Sequence, residues 1–170
     1  VDMSTMTLWE RGLSTGAVSL SELFKGSFAP STCDTSLASL ADAICCGGWP
    51  ALIDTDAQMA SEIVDQYLDV MFEVSVPRKG GTPDMARRIV ASLARNVATA
   101  ATLQTIAQDA SLGDDAGAPA TSTVTAYLEM LEGMYMIESL HGWDAPVRAK
   151  SRLRTKPKRY LADPPIPAAA

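Results

Sequence analysis

Apolar residues in this chain recur at steps of three and four, while alternating strand patterns are scarce, and that periodicity commits it to helices. Leu37, Leu40, Ala41, Ile44 and Cys45 make one such row, which stops at Gly47-Gly48. After the turn Gly47-Gly48-Trp49-Pro50 a second helix opens near Asp54 or Asp56. Its apolar stripe is Met59, Ile63, Tyr67, Val70, Met71 and Val74, and Pro77 closes it. Arg78-Lys79-Gly80-Gly81 reads as a loop. Pro83 then sits where a first helical turn tolerates proline, and Met85, Ile89, Leu93 and Val97 continue the pattern. Thr99-Ala100-Ala101-Thr102 interrupts it, with Thr102 as the N-cap of a shorter helix, Leu103 to Ala110.

A polar turn with Gly and Pro follows over residues 111–120, where Asp114-Asp115 suits local hydrogen bonding. Thr121, Ser122 and Thr123 are placed to cap the next helix, whose core stripe is Val124, Tyr127, Leu128, Leu131, Met134 and Tyr135. Short strands are expected at Met136 to Leu140 and at Arg159 to Asp163. Two helices joined by a turn and followed by a hairpin is the order of a winged helix-turn-helix. The expected fold is therefore mainly α. A helical amino-terminal part over 1–77 precedes a winged helix-turn-helix-like unit with a short β-hairpin over 83–163, and 164–170 is a truncated tail.

With 170 residues, the chain can hold one ordinary domain or two small ones. Cys33, Cys45 and Cys46 cannot all pair, and they read as small core residues of a reduced, cytoplasmic protein. The single His141 and the lack of any Cys-x-x-Cys spacing leave no zinc or iron ligand set. No apolar run approaches the roughly 20 residues of a membrane span, and beginning at Val1 the chain reads as a piece of something longer. Catalysis finds no footing either. Asp54/Asp56 and Asp65/Asp69 suit the wet face of an amphipathic helix, and Ser139 is too near His141 in sequence for a nucleophile elbow. No catalytic, cofactor-binding or metal-ligating residue is expected.

Charge is the uneven feature. Arg148, Lys150, Arg152, Arg154, Lys156, Lys158 and Arg159 are seven of the fourteen basic residues. The rest of the chain sets seven cations against twenty acids, a formal charge of −13. In an extended strand Arg152, Arg154, Lys156 and Lys158 point to one side, as a wing meeting phosphates requires. The helix that would enter a major groove carries Glu129, Glu132 and Glu138 in and after it, and offers only Thr121, Ser122, Thr123 and Thr125 as neutral contacts. Sequence-specific reading needs base-edge donors on that helix and is not expected. Two readings remain: non-specific, salt-sensitive phosphate contact through the wing, or docking of the cationic hairpin on an acidic protein surface, another subunit or the protein's own helices.

Five fragments occur in a fixed order: Ser14-Thr-Gly-Ala-Val-Ser-Leu20, Gly47-Gly-Trp-Pro50, Ser92-Leu-Ala-Arg-Asn96, Thr123-Val-x-x-Tyr-Leu-x-x-Leu131 and Pro157-Lys-x-Tyr-Leu-x-Asp-Pro164. In these the chain resembles, over about Trp9 to Pro164, the carboxy-terminal part of a large family of bacterial ATP-binding proteins. Those proteins join an AAA-type P-loop ATPase to a domain of unknown function containing a winged-helix-like unit. The resemblance implies a non-catalytic module that couples the ATPase to a partner, either protein or nucleic acid. ATP and Mg are implied for the longer parent only, because no Gly-x-x-x-x-Gly-Lys-Ser/Thr is present here. It also places Trp9 and Glu10-Arg11-Gly12 where such a family leaves its ATPase lid, and so raises a role for Arg11 near a neighbouring nucleotide. The family usually continues past Asp-Pro with Gly-Leu and a further helix; here Asp163-Pro-Pro-Ile-Pro replaces them.

Overall fold

Side-chain caps fix where three of the helices start. The Ser36 hydroxyl accepts from the Ser39 N–H and opens α2 (Leu37–Cys46), after a single short turn of helix, α1 (Leu20–Phe24). The Asp56 carboxylate accepts from the Met59 N–H at 2.8 Å and opens α3 (Ala57–Val70). Thr102 caps α6 (Leu103–Ala110) in the same way through the Thr105 N–H at 3.0 Å, at the boundary the sequence predicts. Pro83 occupies the first turn of α5 (Pro83–Arg95). A computed structural model describes residues 4–27, 30–32, 34–111, 117–142 and 156–170.

Several expectations around the helix ends change. Helix does not close at Pro77: α3 passes through a π-helical turn, Met71–Ser75, into α4 (Val76–Arg78), and Gly80-Gly81 ends the run. The wider turn sits just ahead of the proline, where a residue without an N–H cannot extend a regular ladder. Thr121 is the first residue of α7 (Thr121–Glu132) and not its cap; Ala120 holds that place without a side-chain bond. Tyr135 leaves the core stripe, since after α7 the chain turns through φ 58° at this residue and leaves the ring 87% exposed.

The fold is mainly helical with one small sheet. Strands β1 (Ile137–Leu140) and β2 (Lys158–Leu161) pair antiparallel, from Ile137 opposite Leu161 to Leu140 opposite Lys158. The Ala98 N–H donates to the Arg159 carbonyl at 3.0 Å, tying the loop after α5 to β2. Helix α5 packs on α6, α6 on α7 and α7 on β1, around buried Ile89, Ile106, Val124, Leu131, Met136 and Leu161. A last short helix, α8 (Pro165–Ala169), buries Pro165 and Ile166 and packs against α2, α3 and α5.

The amino-terminal helices depart most from expectation. The row Leu37, Leu40 and Ile44 is exposed, and Cys46 is the buried residue of α2. On α3 the core takes Ala60, Val64 and Leu68, and the π turn adds Met71 and Phe72. Of the stripe expected to face inward, Met71 is buried and Tyr67 half-buried against the core, while Met59, Ile63, Val70 and Val74 are exposed. Both rows have helical spacing; the structure buries the one through Ala60, Val64 and Leu68.

Candidate interaction surface

Two of the five fragments that carry the sequence resemblance meet. The carboxylate of Asp163, only 1% exposed, accepts the Gly48 N–H through both oxygens, at 2.9 and 2.8 Å. The Trp49 N–H, the Thr5 hydroxyl and the positive charge of Arg11 also favour its ionised form, yet burial outweighs them and lifts its pKa above the ordinary carboxylate value. The backbone closes in from the other side, where the Met6 N–H donates to the Gly48 carbonyl at 2.8 Å. Neither glycine can take a side chain without a shift of its neighbours. A Cβ on Gly47 would lie 2.4 Å from Pro165 Cδ, and one on Gly48 would lie 2.3 Å from the Met6 carbonyl oxygen.

This clasp accounts for Gly47-Gly48-Trp49-Pro50 and Asp163-Pro164 by packing. Trp49 folds back edge-on to Tyr67 with ring centroids 4.8 Å apart, and burial raises the Tyr67 hydroxyl pKa. Arg11 donates to the Ala43 carbonyl at 3.2 Å, so its guanidinium is engaged at the end of α2. The contact between residues 48 and 163 escaped the sequence reading because nothing local predicts a separation of 115 positions. The available signal was the pair of adjacent glycines, which exceeds what a helix stop requires.

Of the expected contact residues, Arg148, Lys150, Arg152 and Arg154 lie outside the described residues. Lys156 and Lys158 are exposed, on the approach to β2 and at its first residue. Arg159 turns inward. Its Nη1 donates to the Ala101 carbonyl at 3.2 Å, its Nε is buried with no hydrogen-bond partner, and desolvation lowers its pKa against the pull of Glu132. Thr121 and Ser122 are exposed at the start of α7, Thr123 is half-buried, and the Thr125 hydroxyl donates to the Thr121 carbonyl at 3.0 Å.

Between α7 and the hairpin runs an open cleft of about 500 Å³, lined by Thr125, Glu129, Glu132, Glu138, Ser139, His141 and Arg159 over a floor of Leu103, Leu128 and Ile137. Three carboxylates against one guanidinium make it an acidic surface, which disfavours a phosphate backbone there. The Ser139 hydroxyl donates to Glu132 and not to His141, so serine and histidine do not form a nucleophile pair. A Cβ on Gly81 would meet Val76 at 2.8 Å and Met130 at 2.9 Å, so the backbone there is packed on apolar side chains, whereas Gly80 has open space around it. Among the described residues no group of three or more His, Cys, Asp or Glu could hold a metal ion, and no helix is long and apolar enough to cross a membrane.

These features define a mainly helical domain with a small antiparallel sheet, closed on itself by a buried carboxylate. The chain belongs to the family described as Domain of unknown function (DUF8612), whose model matches residues 37–170. No curated protein and no solved structure matches it.

Proposed function

We propose that this chain is a non-catalytic accessory module of a bacterial AAA-type ATP-binding protein, coupling the ATPase to a partner, with α5–α7 and the β1–β2 hairpin forming a winged-helix-like unit. The observation that carries the reading is the Gly48–Asp163 clasp. Two of the ordered fragments behind the resemblance act as one structural device, so they are explained together and without a substrate. The same clasp ties the lead-in at Thr5 to Arg11, the side from which an ATPase would enter, to the strand that ends the hairpin. ATP and Mg belong to the parent on this reading, and no residue here is assigned to them.

The partner is a protein. Exposed Lys156 and Lys158 favour a second reading, a nucleic-acid-binding module making non-specific phosphate contacts through a basic wing. The exposed carboxylates of Glu129, Glu132 and Glu138 beside the hairpin weigh against it. Fluorescence anisotropy of a labelled random duplex at about 50 and about 200 mM salt separates the two. The protein-partner reading predicts negligible binding at both salts, and predicts that changing Arg152, Arg154, Lys156 and Lys158 to Ala alters oligomeric state or monomer stability. Tight low-salt binding that collapses at the higher salt, and vanishes in that variant, would assign the hairpin to nucleic acid instead.

A further inference from the structure

We infer that the exposed face of α2 and α3 is a docking surface for a cationic amphipathic helix of a partner protein. The inference rests on reading the domain as a docking module, but uses a surface other than the hairpin. Its first support is the pair of apolar rows the core leaves out. On α2, Leu37, Leu40 and Ile44 repeat at helical spacing, with Leu37 84% exposed. On α3 and its π turn, Met59, Ile63, Val70 and Val74 do the same, with Val70 58% exposed. The two helices pack on each other, so the rows belong to adjoining elements. Single exposed apolar residues are ordinary; two rows at helical spacing on neighbouring helices are the pattern of a surface that receives a helix.

The second support is charge. Between Lys25 and Arg78 there are eight acids and no Lys, Arg or His. Asp42, Asp56, Glu62 and Asp65, all exposed on or at the start of these helices, form no salt bridge among the described residues. Asp69 and Glu73 are held by Arg87, at 3.1 and 2.9 Å, on the side toward α5. An apolar row edged by unpaired carboxylates selects its occupant. Nucleic acid and anionic bilayers are repelled, and an uncharged apolar partner would bring the carboxylates near low-dielectric surface without compensation. A helix with one apolar stripe flanked by Lys or Arg satisfies both features at once.

The test uses the full chain and three labelled peptides of about four helical turns: an amphipathic one of Leu and Lys, its counterpart with Glu for Lys, and a scramble of the Leu–Lys composition. The Leu–Lys peptide is expected to bind at least about tenfold more tightly than either control. Binding should weaken by about tenfold or more in Leu40→Ser/Ile44→Ser, and separately in Met59→Ser/Ile63→Ser, at unchanged circular dichroism. Reversal of the rim in Asp42→Lys/Glu62→Lys should do the same with the apolar rows intact. Equal binding of the scrambled peptide, or binding indifferent to both row variants, would overturn the inference. So would a concentration-dependent dimer that the row variants dissociate, because the occupant would then be a second copy. Loss of binding in Lys156→Ala/Lys158→Ala alone would place the site at the hairpin.

Discussion

The half of the molecule around α5–α7 and the half around α2–α3 treat the same kind of sequence in opposite ways. On α7 the row expected at helical spacing is the row that is buried, with Val124, Tyr127, Leu128 and Leu131 all in the core. On α2 and α3 most residues of the expected rows are exposed, buried Met71 and half-buried Tyr67 apart, while the core takes neighbouring residues such as Ala60 and Val64. Periodicity identifies an apolar face; it does not identify what covers that face. In one half the cover is supplied by the chain, and in the other we assign it to a partner.

The comparison can be broken most sharply by one truncation made twice. Leu131→Ala, at a fully buried site, should cost about 2–5 kcal/mol in denaturant unfolding. Leu37→Ala should stay within about 0.5 kcal/mol. Similar losses at the two sites would mean that α2 is covered within the monomer. The clasp comes next. Gly48→Ala drives a Cβ against the Met6 backbone and should lower stability by about 1–3 kcal/mol, with a matching fall in Tm.

Asp163→Ala leaves the Gly48 N–H without its acceptor and should cost about 1–3 kcal/mol. Asp163→Asn keeps an acceptor and should cost less. The sign of the pH effect follows from the raised carboxyl pKa, because the folded state holds the proton more tightly than the unfolded one. This group's contribution is therefore full below the ordinary carboxylate value and declines as pH rises from there through the raised value. Asp163→Asn should remove that slope from a stability profile taken across the acid range. A slope that survives the substitution would assign it to another carboxylate. The smallest contrast concerns caps: Thr102→Ala should cost about 1 kcal/mol and Thr121→Ala a few tenths, since only the former accepts a backbone N–H.

Much of the fold is legible residue by residue. Thr102, Asp56 and Pro83 mark helix starts because capping and proline geometry are local. The strands expected at Met136 to Leu140 and Arg159 to Asp163 form at Ile137–Leu140 and Lys158–Leu161, so their places are legible and their ends are not. Helix continuing through Pro77 was not legible, because the π turn ahead of it depends on the packing of Met71 and Phe72. Nor was the inward turn of Arg159, which a charge run counts like any other cation but which the fold spends on the Ala101 carbonyl. The site reading suffered most where it depended on partners far along the chain: Gly48 and Asp163 announce a turn and a bend locally, and only their meeting shows what they do.

The most direct test of the central claim is hydrogen–deuterium exchange of the full chain with and without the Leu–Lys peptide. The account predicts added protection in residues 37–46 and 57–74, and none in 121–140 or 156–161. Protection confined to α7 and the hairpin, or no change anywhere, would contradict it.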